Sequence, residues 1–404
     1  MAKAVGAAVR AATPTGAAVS GPGVLDALSL LTQVADELVV RTVRDTHVAW
    51  ADRASGLLRG PTRGASRVPE LMHKGIAGGV YAGLGAGLRV ASKGLDAAAA
   101  RGLGPRLEDT PRGRHLNAAV NGLIGDRLAR ERPRLAVPMA IRVGGRDVPV
   151  EPAALATAYP DARRQVVLFL HGLSESEAFF DLHAAEVGST YADTVTELGW
   201  TPVFLRANTG LPVRENGVAL SALLQRLVAA WPADVDRIAL VGHSMGGLVM
   251  RAACAVAIEA ERPWPSLVTD VVTLGTPHLG APLAGGVGHG ARALARWPET
   301  AAFGRILDQR SAGVHDLVEG LADDVPPLPH GRYRLVSATL TASPRNPLGA
   351  FMGDLLVRQP SAYGRSRRYA GLFPGADELH LPRADHFALL NHPRVHDALR
   401  TWLA

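Results

Sequence analysis

Apolar runs alternate with amphipathic stretches along the last two thirds of the chain, and their periods name the elements. "QVVLFL" (165–170) is a continuous apolar run and predicts a buried strand. "TYADTVTELGW" predicts a helix, and "TPVFLR" (201–206) the next strand. "NGVALSALLQRLVAAW" (216–231) predicts a helix with Asn216 as its cap, and "RIALVG" (237–242) a strand. "MGGLVMRAACAVAIEA" (245–260) reads as a helix, "VTDVVTLG" (268–275) as a strand. "RYRLVSATL" (332–340) and "DELHLP" (377–382) are two more strands, and "PRVHDALRTWL" (393–403) is a closing helix. Ahead of them, "MAIRVGGRDVPVE" holds two short strands around Gly144-Gly145, a hairpin signal. Continuous apolar strands separated by helices predict an α/β fold. Its sheet is mostly parallel, covered by helices on both faces and entered through an antiparallel hairpin.

The first third follows a different pattern. Residues 1–23 are rich in Ala, Gly and Pro and predict a disordered N-terminus. Leu28, Leu31, Ala35, Leu38 and Val39 recur at helical spacing and predict a long amphipathic helix over 24–58. A loop at 59–69, a Gly-rich helical region at about 70–100 and a third helix at about 114–131 follow. Residues 24–131 thus predict a helical accessory segment, packed either on the rest of the chain or on a membrane. The segment 138–404 is the α/β domain. Between its strands at 275 and 332 lies an insertion, about 280–330, of the size that forms a cap or lid.

Composition narrows the function classes. Of the 404 residues, 47% are apolar and 20% charged, as in a globular protein with a sizeable core. The net charge is +6 and nearly all of the basic residues are arginine, but no basic run with interleaved aromatics occurs. Nucleic acid is therefore not an expected partner; peripheral contact with an anionic membrane surface is the more plausible use of the charge. Cys254 is the single cysteine, so no intrachain disulfide forms; it reads as a small core residue in a reducing compartment. The longest uncharged apolar stretch, "GIAGGVYAGLGAGL" (75–88), falls short of the ~20 residues that a spanning helix needs. A cytoplasmic, non-spanning protein is expected. No cofactor is expected, and no metal, since neither an H-E-x-x-H motif nor a Cys/His cluster is present. Oligomeric state is not legible.

The candidate chemistry centres on Gly242-His243-Ser244-Met245-Gly246, at the junction of a predicted strand and helix. Such a sharp turn needs small residues two positions either side of the serine and lifts its hydroxyl above the sheet edge. A serine hydroxyl needs a base. His386 in "LPRADHFALLNHP" stands after the last strand; His392 and His396 compete but belong to the closing helix and its start. The acid is expected after the preceding strand, where Asp354 stands; Asp377, Glu378 and Asp385 are rivals. Oxyanion donors are expected from the N–H of Met245 and, after the "VVLFL" strand, of Leu173. His171 then reads as a loop-orienting residue and His278 in "GTPHLG" as a structural bridge between loops.

"LFLHGL", "LVGHSMGGLVMR", "VVTLGTPHLGAPLA" and "DHFALLNHP" together resemble the α/β-hydrolase superfamily, near its lipase and GPI inositol-deacylase-like branch. "FLRANTGLPVRENG" and "LNAAVNGLIGDRLA" are similar to stretches of bacterial hydrolases in that group, so the resemblance covers roughly residues 114–404. It implies the α/β-hydrolase fold and a serine hydrolase acting on small-molecule ester or lipid substrates. Ser244, Asp354 and His386 would form its triad, with Leu173 and Met245 as oxyanion donors. One departure stands out: the acid motif of lipases is often Gly-Asp-Gly-Leu-Val, whereas here Leu355 follows Asp354. The same triad can serve an acyltransferase or thioesterase. A non-catalytic membrane or partner adaptor is the further alternative.

Overall fold

A computed structural model describes residues 23–34, 83, 86–104, 106–281, 311–321, 325–343, 346, 353–366 and 371–404. Residues 1–22 of the expected disordered stretch 1–23, most of the 24–58 helix, the 59–69 loop, most of the first half of the 70–100 helical region and most of the 280–330 insertion lie outside these residues.

Eight strands form one sheet in the order β2-β1-β4-β3-β5-β6-β7-β8. The strands are β1 (Ala140–Val143), β2 (Arg146–Val148), β3 (Gln165–Leu170), β4 (Thr201–Arg206), β5 (Arg237–His243), β6 (Val268–Leu274), β7 (Arg332–Thr339) and β8 (Asp377–Pro382). β1 pairs antiparallel with β2 and with β4; all later pairings are parallel. Each predicted strand therefore forms, within a residue or two of its expected bounds.

The alternation within each strand sorts side chains onto two cores. Val166, Leu168 and Leu170 of β3 join Ile238 and Leu240 of β5 on one face. Val167 and Phe169 join Ala239 and Val241 on the other. Both sets are fully buried because helices cover both faces, which is why these strands read as unbroken apolar runs rather than as alternating ones. The helix after β4 (Val213–Ala230) and the helix after β5 (Met245–Cys254) cover the first face with Leu220, Leu224 and Leu248. The helices Tyr191–Glu197 and Pro393–Trp402 cover the second with Tyr191, Val195, Val395 and Leu399.

Two expectations need correction. Asn216 caps nothing: the helix starts at Val213, and the Asn216 amide reaches back to donate to the Asn208 carbonyl at 2.8 Å. The cap comes from far along the chain, since the Val213 N–H donates to Asp316 Oδ2 at 2.7 Å. The helix after Ser244 ends at Cys254 rather than near 260. The chain beyond it turns so that Trp264 can bury completely and donate from its ring nitrogen to Ser221 Oγ.

In the N-terminal part, helical backbone runs over Val24–Val34 and 86–100. The third helix, Pro111–Glu131, begins three residues before its expected start, because Thr110 caps it and proline suits its first position. This helix packs on the α/β domain. Asn121 donates to the Leu135 carbonyl and accepts from the Val137 N–H, and Asn208 donates to the Gly125 carbonyl. Just before it, Glu108 accepts two 2.7 Å bonds from Arg206 of β4, and Asp147 of β2 shares Arg206 and Arg142. Arg142 and Arg206 are buried, so the ion pairs with the mostly buried Glu108 are screened less than surface pairs and hold segment and sheet edge together, while Asp147 stays partly exposed.

Candidate active site

The site lies at the carboxyl ends of β3, β5, β7 and β8. Ser244 follows β5 directly and takes φ 51° and ψ −123°, a strained turn between strand and helix. Its glycine neighbours are sterically required. A Cβ on Gly242 would come within 2.5 Å of the Gly247 nitrogen, and one on Gly246 within 2.3 Å of the Leu170 carbonyl oxygen. The Ser244 N–H donates to the Leu274 carbonyl at 2.8 Å, which fixes the turn to β6.

His386 and Asp354 meet as an almost fully buried pair. Asp354 Oδ2 accepts from His386 Nδ1 at 2.8 Å. Asp354 Oδ1 accepts from the N–H groups of Leu356 and Val357, so the carboxylate is held at both oxygens. The His386 N–H also donates to the Asp354 carbonyl at 3.0 Å. With Nδ1 carrying its proton toward the carboxylate, Nε2 is left as the basic nitrogen. Among the described residues that Nε2 has no hydrogen-bond partner. The rivals are committed elsewhere. His392 accepts from the Arg394 N–H at the start of its helix, and His396 Nδ1 bonds Thr194 Oγ1 at 2.7 Å. Asp377 and Glu378 pair with arginines, and Asp385 accepts from the Phe387 and Ala388 N–H groups.

The loop after β3 presses on the serine: a Cβ on Gly172 would sit 2.9 Å from Ser244 Cβ. In this loop the Gly172 N–H donates to Glu175 and the Ser174 N–H to Thr209 Oγ1, with Leu173 between them. Met245 is the first residue of its helix, so its N–H has no acceptor within that helix. His171 is buried and bridges loops, with Nδ1 against the Gly172 carbonyl and Nε2 accepting from the Ala207 N–H. Burial pushes its pKa down and keeps it neutral. His278 is fully buried against Arg251 and Thr273; burial, then the charge of Arg251, hold its pKa well below the usual value. Neither histidine is placed to meet a substrate.

Sequence reasoning missed two parts of this site. One is Glu175, 5% exposed, which bonds both Gly172 and His243. The other is the face of the Pro111–Glu131 helix: Gly122 lies so near Ser174 that a Cβ would fall 2.7 Å from Ser174 Cα. A lone Glu in a loop carries no periodic signal. The Gly122-x-x-Gly125 spacing was the available clue to a close helix contact.

Among the described residues no helix is long and apolar enough to cross a membrane. The PGAP1-like alpha/beta domain family matches residues 207–289. A triacylglycerol lipase of Burkholderia plantarii is 31% identical over 156 residues, 37% of this chain. The match spans 40% of that relative's length. Among solved structures, the mature lipase BlEst2 of Bacillus licheniformis superposes with a TM-score of 0.41 at 21% identity, over 66% of this chain and 97% of that one. EstA of Clostridium botulinum gives 0.39 at 14% identity, over 60% and 87%. A mostly parallel sheet in this order, entered through an antiparallel hairpin and with the PGAP1-like match running across its β5 turn, is consistent with the α/β-hydrolase fold.

Proposed function

We propose that the chain is a carboxylic ester hydrolase working through Ser244, His386 and Asp354. The observation that carries this reading is the buried Asp354–His386 pair with a free Nε2, at the same carboxyl end of the sheet as a serine on a strained strand-to-helix turn. His386 Nε2 takes the Ser244 hydroxyl proton as Oγ adds to the ester carbonyl carbon. Asp354 holds the ring and stabilises the imidazolium. The oxyanion is received by the N–H groups of Leu173 and Met245. Collapse of the intermediate expels the alcohol, which takes the proton from His386, and leaves an acyl-enzyme. Water then repeats the sequence and releases the acid.

For the substrate we propose an ester with an apolar group. Phe387, Leu355 and Leu356 stand next to His386 and Asp354 in the chain and are each more than a third exposed. Exposed side chains of this size beside a polar centre suit an apolar acyl or alcohol chain. Residues 107–131 belong to the same unit in this reading, since they back the loop that bears Leu173. The experiment is labelling with a fluorophosphonate, followed by hydrolysis of p-nitrophenyl esters of increasing chain length. Labelling confined to Ser244 and lost in Ser244→Ala is expected. An unlabelled Ser244 in folded protein refutes the mechanism, and a rate that falls steadily with chain length refutes the apolar substrate.

A further inference from the structure

We infer that Glu175 is a positioning residue of the active site, tying the oxyanion loop to a charged His243 and, through His243, to the backbone of His386. The inference rests on the hydrolase reading above. One carboxylate oxygen, Glu175 Oε2, accepts from the Gly172 N–H at 2.7 Å and from His243 Nδ1 at 2.9 Å. The other ring nitrogen, His243 Nε2, faces the His386 carbonyl at 3.3 Å. Three pieces of the site, each from a different strand end, thus meet on one buried chain of hydrogen bonds.

The partners set the charge. Both nitrogens of His243 face acceptors, and a neutral imidazole has only one N–H to give. Satisfying both makes the ring an imidazolium, paired with a Glu175 carboxylate into a neutral unit. His243 is completely buried and Glu175 nearly so. Burial works against each charge. For His243, the charge and hydrogen bond of Glu175 outweigh it and raise the pKa. For Glu175, His243 and then the Gly172 N–H outweigh it and lower the pKa. Other titratable groups around the pair are His386, whose ring lies 4.8 Å from His243, Asp354, and His171 beside Glu175; Glu108, Glu177, Arg142 and Arg206 line a small pocket with Glu175.

The site therefore holds two carboxylate–histidine pairs with different tasks. Asp354–His386 leaves one ring nitrogen open, whereas Glu175–His243 uses both and has none left to take a proton from Ser244. Glu175 holds the loop on both sides of Gly172: its carboxylate takes the Gly172 N–H, and its own N–H donates at 3.3 Å to the Gly172 carbonyl, which lies in the same peptide as the Leu173 N–H. An oxyanion donor acts on the transition state and contributes little to ground-state binding, so loosening it lowers kcat and spares KM. Glu175→Gln keeps an oxygen acceptor but not the charge. His243 then gives up a proton and turns a lone pair on one of its two acceptors.

The test combines kinetics with histidine NMR. Turnover is expressed per site titrated by fluorophosphonate, so that misfolded protein does not count. Glu175→Gln is expected to lower kcat about 10-fold and Glu175→Ala about 100-fold, with KM within about 3-fold. In the wild-type protein the 15N shifts of His243 are expected to show both nitrogens protonated from pH 6 to 8, and one unprotonated in Glu175→Gln. A neutral His243 in the wild type overturns the inference. So do variants that melt earlier yet turn over normally per titrated site, the signature of a purely structural carboxylate. If the wild-type Ser244 is not labelled at all, it is the hydrolase reading that fails.

Discussion

Replacing Gly122 by alanine adds one methyl group on the helix face that packs against Ser174, in the loop proposed to carry the Leu173 oxyanion donor. That methyl would lie 2.0 Å from Ser174 Oγ, 2.7 Å from Ser174 Cα and 2.8 Å from Ser174 N. The hydroxyl can rotate aside, but the backbone atoms cannot. Helix and loop must separate by roughly 0.7 Å to restore an ordinary contact. Ser174 already has φ 61°, and its N–H is held by Thr209, so the loop has little slack. Overpacking of this kind costs about 1–3 kcal/mol, against a gain of about 1 kcal/mol for Gly→Ala within a helix. Gly94→Ala, on an exposed helical stretch with nothing within 4 Å, measures that gain alone. The larger effect is catalytic. Complete loss of an oxyanion donor costs about 100- to 1,000-fold, and a partial displacement of Leu173 about 10- to 100-fold in kcat. The assay is ester hydrolysis per titrated site, beside urea melts of wild type, Gly122→Ala and Gly94→Ala. A Gly122→Ala protein that is destabilised but keeps its kcat would refute the coupling of this helix to the oxyanion loop.

Further outcomes follow from other contacts. Leu355 has φ 87°, a left-handed conformation that costs a branched side chain about 1–2 kcal/mol. Leu355→Gly should raise stability by about 0.5–1 kcal/mol after glycine's own entropy cost, read from the urea midpoint; a loss would refute the strain argument. Burial would raise the Glu108 carboxyl pKa, but Arg206 and Arg142 hold it below the usual range, so its contribution is present above about pH 4.5 and lost as pH falls. Glu108→Gln should destabilise the protein by about 3 kcal/mol, because it leaves buried guanidinium groups short of charge; urea melts showing under about 1 kcal/mol would contradict this. His171 and His278 are buried with lowered pKa values and take up protons only on unfolding. Stability should therefore fall as pH drops below about 6.5, by up to about 1.4 kcal/mol per pH unit for each. Melting temperatures from pH 7 to 5 should show a shallower slope in His278→Asn, and equal slopes would refute the assignment. His243 has the opposite sign: its raised pKa gives stability that is complete below about 6.5 and lost as pH rises through the folded value.

The strands, their order of use and the residues at their ends were legible in the sequence because each depends on short-range pattern. A buried parallel strand is an apolar run wherever it stands, and Ser244, Asp354 and His386 are reached by counting strands. The glycines around Ser244 could be read for the same reason, since the turn that needs them spans five residues. Other features depend on residues distant in the chain. Glu175 and His243 are 68 positions apart, and Asp316 caps a helix 103 positions before it. The glycine in the middle of the Pro111–Glu131 helix looks like a weak point in a helix until Ser174 is seen against it. No local period encodes such pairs. A hydrogen bond or a van der Waals contact forms only once folding has brought its two partners together, so sequence determined which residues carry the candidate chemistry, and tertiary structure decided which others hold them in place.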